Sequence, residues 1–196
     1  MTLCQNIIGA KYKELTERFL ESLEREFECR GETYKIKIHP ARIVGKDGKE
    51  KECYPSKREE LVEDALRKFV CEGQGLFLDD QVGVTFTLYQ LQKELKERGH
   101  SYSIDQLKEA LFICAQTKLI VSNENYGLVL VSSIFETIGL QTREEWVEQG
   151  KQSQAFVRFN PLVTKNIKSS NFIINYRVYK YLCLSVIIIK YLRIII

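Results

Sequence analysis

The chain has 196 residues, of which 44% are hydrophobic and 28% charged, long enough for one large or two small domains around a real core. Its net charge of +3 hides an asymmetry: residues 151–196 carry eight cations and no acid, so subtracting eight from +3 leaves −5 for residues 1–150. Its six cysteines lie at least 18 positions apart, which argues against a zinc framework built from close ligand pairs.

Taken in order, residues from Ala10 to Cys29 predict an amphipathic helix, with Tyr12, Leu15, Phe19, Leu23 and Phe27 along one side and Gly31 beyond its end. Such a helix either docks on its own domain or meets a partner, including a second copy. Tyr34-Lys35-Ile36-Lys37-Ile38 alternates strictly, as a strand does, and Lys46-Asp47-Gly48 has hairpin-turn composition. A two-stranded element near 34–54 follows, its lysines forming a solvated face or meeting phosphates.

Residues 55–135 carry the clearest pattern. Ser56-x-x-Glu59, Thr87-x-x-Gln90 and Ser103-x-x-Gln106 share a spacing that lets a hydroxyl and an acid or amide cap a helix start reciprocally. Each opens an apolar period near 3.6. The first helix is expected over Lys57–Cys71, with Leu61, Val62, Ala65, Leu66, Phe69 and Val70 on one face. Val84-Thr85-Phe86 alternates like a short strand. The second helix runs from Leu88 to Arg98 and stops at Gly99; the third buries Ile104, Leu107, Leu111 and Cys114. Leu119–Val121 and Leu128–Val131 read as a hairpin joined through 122–127. Cys71 and Cys114 are expected as small core residues. This is the order of a winged helix: helix, strand, helix, turn, helix, hairpin. Its third helix enters the major groove and its hairpin flanks it.

Beyond this unit, Thr142 to Gly150 predicts a linker helix, and Phe156–Phe159 a strand that meets the turn Asn160-Pro161. From Asn171 the composition shifts to Ile, Tyr, Asn and Lys. The apolar stretch Tyr181–Ile196 has 16 residues and includes Lys190 and Arg193. A spanning helix needs about 20 apolar residues, so no membrane partner is expected. With no secretory signal in front, reduced cysteines in a cytoplasmic protein fit.

The runs Tyr34–Ile38, Lys46–Glu50, Tyr54–Lys68, Phe86–Leu95, Thr142–Trp146 and Phe156–Thr164 resemble plasmid replication initiator proteins of the winged-helix type, over most of residues 34–168. The resemblance implies sequence-specific binding of double-stranded DNA at origin repeats, recruitment of host replication proteins, and monomer and homodimer forms. It also implies a second winged-helix domain beginning at residue 156, which the remaining residues are too few to complete, so a truncated initiator is expected. The resulting division is 1–33 N-terminal helix, 34–54 hairpin extension, 55–135 winged helix, 136–155 linker helix and 156–196 partial second domain with a hydrophobic tail, an α+β fold.

DNA binding by such a fold divides into phosphate contacts and base-edge contacts. Lys93, Lys96, Arg98 and His100, around the second helix and its turn, are candidates for phosphate, as is Lys118 at the base of the hairpin. Asn123 and Asn125 lie at its tip. Ser101, Tyr102, Ser103, Gln106 and Gln116, with Lys108, are candidates along the third helix and its approach. Asp105 and Glu109 on the same helix oppose phosphate, though a carboxylate can accept from cytosine. No enzyme is expected and no cofactor: a phosphate-cradling G-x-x-x-x-G-K-[ST] is missing, and His39 and His100 cannot supply the adjacent metal ligands of rolling-circle initiators. Asp79-Asp80 reads as a solvent-facing loop pair. The alternatives are a protein-interaction module, which suits the acidic residues 1–150, and a transcriptional autorepressor.

Overall fold

The computed structural model describes residues 20–29, 32–45, 48–78, 81–125, 127–140, 154–161 and 163–164. Its elements in chain order are β1 (Leu23–Cys29), β2 (Glu32–His39), β3 (Ala41–Val44), β4 (Glu50–Cys53), α1 (Lys57–Phe69), β5 (Gly75–Leu78) and β6 (Gln81–Thr87). Then follow α2 (Leu88–Glu97), α3 (Ile104–Gln116), β7 (Lys118–Asn123), β8 (Leu128–Ser133), β9 (Phe135–Leu140) and β10 (Gln154–Phe159). The fold is α+β, with three α-helices among the described residues set against antiparallel sheets. One sheet has the order β1-β2-β7-β8, another β5-β6-β10-β9, and β3-β4 form a hairpin of their own.

The helices begin where the sequence places them. Thr87 Oγ1 accepts from the Gln90 amide at 3.0 Å while Gln90 Oε1 accepts from the Thr87 amide at 2.8 Å. Ser103 and Gln106 repeat the exchange at 3.2 and 2.8 Å. At Ser56 the Glu59 carboxylate accepts from both the backbone amide, at 2.7 Å, and the hydroxyl, at 2.6 Å. Each arrangement satisfies donors that a helix start would otherwise leave orphaned. Helix α1 continues into a wider turn, Val70–Gln74, that reverses through Gly73 at φ +91°. Cys114 is buried as expected, but Cys71 is exposed on this turn, where the helix face that would have covered it has ended.

The three helices and both four-stranded sheets share one core. Leu61, Val62, Ala65, Leu66 and Phe69 of α1 meet Leu91 and Leu95 of α2 and Leu107, Ala110, Leu111 and Cys114 of α3. The sheets contribute Ile36, Ile38, Leu119 and Val121 on one side, and Val82, Val84, Phe86, Val157 and Phe159 on the other. A smaller cluster of Ala41, Ile43 and Ile113 fastens the β3–β4 hairpin to α3.

Three expectations change. Residues 23–29 form a strand, not the end of an amphipathic helix, and residues 10–19 lie outside the described set. Leu23 and Phe27 fit a helical stripe, but they fit period-two alternation equally well. Pairing decides: Glu24 and Glu26 stand opposite Lys37 and Lys35 of β2, and Phe27 stacks on Tyr34 at 5.4 Å. Second, Tyr34–Ile38 is a strand, but it joins β1 and β7 in a four-stranded sheet; the hairpin at Gly48 (φ +73°) is made by β3 and β4 instead. Third, Phe156–Phe159 is a strand, as expected, but it pairs with strands of the preceding residues. Strand β10 lies between β6 and β9, with Val157 opposite Val84 and Ile138, and its inward residues are in the common core. Asn160 then turns the chain, its Oδ1 accepting from the Val163 amide at 3.0 Å, and Thr164 Oγ1 accepts from the Val82 amide at 3.1 Å. Of the expected linker helix at 136–155, residues 136–140 belong to strand β9 and 154–155 to β10; the helix start at Thr142, the Asp79-Asp80 pair and the hydrophobic tail lie outside the described residues. No helix among the described residues is long and apolar enough to cross a membrane.

Candidate nucleic-acid interface

The candidate residues follow one path, from α2 through the turn 98–103, along α3 and out to the β7–β8 hairpin. The turn is held firmly. Gly99, at φ +84°, lets its amide reach the Lys96 carbonyl at 2.9 Å and the His100 amide reach the Leu95 carbonyl at 2.9 Å, a double closure of the helix end that favours glycine. Gln92 Nε2 donates to the Tyr102 carbonyl at 2.7 Å, and the half-buried rings of His100 and Tyr102 stack at 6.5 Å. The approach to α3 is therefore fixed in direction.

Several candidates already have work inside the fold. Arg98 donates from Nε to Glu94 at 2.6 Å and from NH1 to Asp64 at 2.8 Å, so its guanidinium ties α2 to α1. Ser103 and Gln106 are exposed but cap α3 with their side chains. Lys118 Nζ donates to Ser133 Oγ at 3.0 Å across the hairpin. Asn125 Nδ2 donates to Glu32 Oε2 at 2.7 Å, joining the hairpin turn to β2. Asn123, expected at the hairpin tip, is only 2% exposed, because strand alternation turns it inward with Leu119 and Val121. A direct contact from its side chain is thereby blocked.

The remainder are open. Lys93, Lys96, Ser101 and Gln116 are exposed and Lys108 half-buried; among the described residues Lys93 has only a long 3.9 Å pairing with Glu97. Lys96 and Lys108 have no ion pair among the described residues. Gln106 and Gln116 stand ten residues apart, about 15 Å along the helix, so the set spans one helix face rather than a pocket.

Two features of α3 were not read from the sequence. Glu109, which opposes phosphate, is neutralised: Lys51 of β4 donates to it at 2.7 Å and Arg58 of α1 at 2.9 Å. The Lys51 hydrogen bond, outweighing partial burial, holds the Glu109 carboxyl below the usual range. Phe112 is 43% exposed on the outward side, out of phase with the buried Leu107, Leu111 and Cys114. That phase mismatch was the available signal. The flank of α3 at Ile113 is covered by the β3–β4 hairpin, leaving the stripe through Asp105, Lys108, Phe112 and Gln116 to solvent.

Beneath the interface, Glu94 is buried and receives Lys68 at 2.8 Å as well as Arg98. Burial alone would raise its carboxyl, but hydrogen bonds from Lys68 and Arg98 together with their charges hold it below the ordinary glutamate value. A depressed folded value stabilises the fold above the unfolded value and loses that stabilisation as pH falls through the folded one. Denaturant melts should therefore show stability dropping as pH falls below about 4.3, the unfolded glutamate value. Glu94→Gln should start lower at neutral pH and flatten that part of the drop.

Among the described residues no group of three or more His, Cys, Asp or Glu side chains is placed to hold a metal ion. No protein-family model and no curated protein sequence matches the chain. Among solved structures, the fold is similar to crystal structures of domains 2 and 3 of RctB. A selenomethionine derivative aligns at a TM-score of 0.53 and 8% identity, covering 79% of this chain and 56% of that one. A second structure of RctB domains 2–3 aligns at 0.51 and 9% identity, covering 78% and 55%. The chain thus spans little more than half of the structures it matches, and what it shares with them is the fold.

Proposed function

We propose that this chain is a replication-initiation protein that binds double-stranded DNA sequence-specifically as a winged helix, at origin repeats of its own replicon. Helix α3 lies in the major groove, the β7–β8 hairpin lies along the backbone, and the chain acts by binding rather than by catalysis. The observation that carries this reading is the succession of α2, a rigid turn, α3 and a hairpin, with one stripe of α3 uncovered and Glu109, at the edge of that stripe, neutralised. It is supported by the fold shared with domains 2 and 3 of RctB, a replication initiator, and by the resemblance of residues 34–168 to plasmid initiators. Autorepression of transcription would use the same contacts.

A second reading has its own observation. Val129 and Val131 on β8 are 66% and 63% exposed, an apolar strip more typical of a protein-docking surface. Salt dependence separates the two. If α3 meets DNA, replacing Lys96 or Lys108 by glutamine in the full chain should weaken duplex binding. For each phosphate that the variant no longer neutralises, the slope of log affinity against log salt should shrink by about 0.9. Wild-type affinity and slope in both variants would instead favour docking.

A further inference from the structure

We infer that Phe112 is a specificity-determining residue that packs against the 5-methyl group of a thymine in the major groove. The inference rests on the DNA-binding reading above and assigns a role within that same face.

The argument begins with the helix. At 100° per residue, Asp105, Phe112 and Gln116 fall within an arc of about 40°, pointing away from the buried Leu107, Ala110, Leu111 and Cys114. An amphipathic helix places a polar residue at the middle of such a stripe; here stands a phenylalanine, 43% exposed. Its neighbours one turn away, Lys108 and Gln116, offer no apolar cover. The nearby apolar cluster of Ala41, Ile43 and Ile113 closes over the flank of α3 without enclosing Phe112.

The charges around the stripe fit a nucleic acid. Asp105 is the acid on the stripe itself; Glu109, at its edge, is held by Lys51 and Arg58, and Lys108 carries no ion pair among the described residues. An apolar side chain presented by a helix, one turn from a lysine that has no ion pair among the described residues, suits the major groove. There the one apolar group on a base edge is the thymine methyl. Gln116, one turn further on, lies on the same side to meet a neighbouring base.

The test selects duplexes from a randomised pool with the full chain, then replaces each thymine of the enriched sequence by deoxyuridine, which lacks only the methyl. One replacement should weaken binding about fourfold, the worth of one buried methyl group. Phe112→Ala should lose at least that factor on the thymine duplex and no longer distinguish thymine from deoxyuridine; Phe112→Leu should keep part of the discrimination. Because Phe112 is exposed on a helix, the thermal midpoint of Phe112→Ala should match wild type, separating loss of reading from loss of fold. Unchanged discrimination in Phe112→Ala, with an enriched sequence in hand, would overturn the inference while leaving DNA recognition standing. A pool that yields no enriched sequence would overturn both.

Discussion

Replacing Arg67 by methionine is expected to destabilise the folded chain by about 3–5 kcal/mol, the usual cost of stranding one member of a buried ion pair. Arg67 NH2 lies 2.6 Å from Glu63 Oε1, one helical turn away, and the two side chains are 7% and 0% exposed. Methionine preserves most of the length of arginine, so the cavity is small and the loss falls on the Glu63 carboxyl, left buried without its partner. Helix α1 packs against both α2 and α3, so the whole core feels the change. For a chain of this size the thermal midpoint should fall by about 6–20 °C. The double variant Glu63→Leu, Arg67→Met is expected to recover most of the loss, because an apolar pair of similar volume needs no charge compensation. A single variant that melts within about a degree of wild type would mean that the pair is solvated in solution.

Gly83→Ala has the next largest expected effect, about 1–3 kcal/mol, by overpacking. A Cβ at this position would stand 2.7 Å from a ring carbon of Phe156 and 2.9 Å from the Val157 carbonyl oxygen. The ring can swing aside. The carbonyl cannot, since β10 is held between β6 and β9. The control is Gly139→Ala, whose Cβ would meet Phe156 only at 3.8 Å, an ordinary contact. A chemical-denaturation midpoint lowered by Gly83→Ala and nearly unchanged by Gly139→Ala would establish that residues 154–159 fold with residues 32–140. Equal midpoints for Gly83→Ala and wild type would favour the division in which residue 156 opens a separate domain.

That division shows where the sequence ran short. The starts of α1, α2 and α3 were legible because caps are local: Thr87 and Gln90, or Ser103 and Gln106, carry their information within four residues. The β7–β8 hairpin was legible for the same reason. The position of β10 was not, because Phe156–Phe159 alternates in the same way whether it pairs with a neighbour or with β6 some 70 residues earlier, and nothing local names the partner. Strand β1 failed differently. Leu23 and Phe27 satisfy both periods, and only the lysines of β2 opposite Glu24 and Glu26 settle the matter.

The candidate site was legible in outline and less so in detail. Surface lysines on α2 and α3 can be read from periodicity, whereas the engagement of Arg98 with Asp64, or of Glu109 with Lys51 and Arg58, depends on residues 34 to 58 positions apart. Asn123 looked like a loop residue, but strand β7 extends beyond its apolar run and carries Asn123 inside. Phe112 was not read from the sequence, although its apolar side chain falls out of phase with Leu107, Leu111 and Cys114.

The measurement that bears most directly on the function is fluorescence anisotropy of labelled duplexes titrated with the full chain. Duplexes carrying the repeats of its own replicon should be compared with scrambled duplexes of equal composition, at two salt concentrations. Sequence-specific binding predicts at least tenfold tighter binding to the repeats, a difference of about 1.4 kcal/mol, and an affinity that falls steeply with salt. Equal affinity for both duplexes, or none for either, would contradict it and leave the apolar strip on β8 as the better guide to what this protein does.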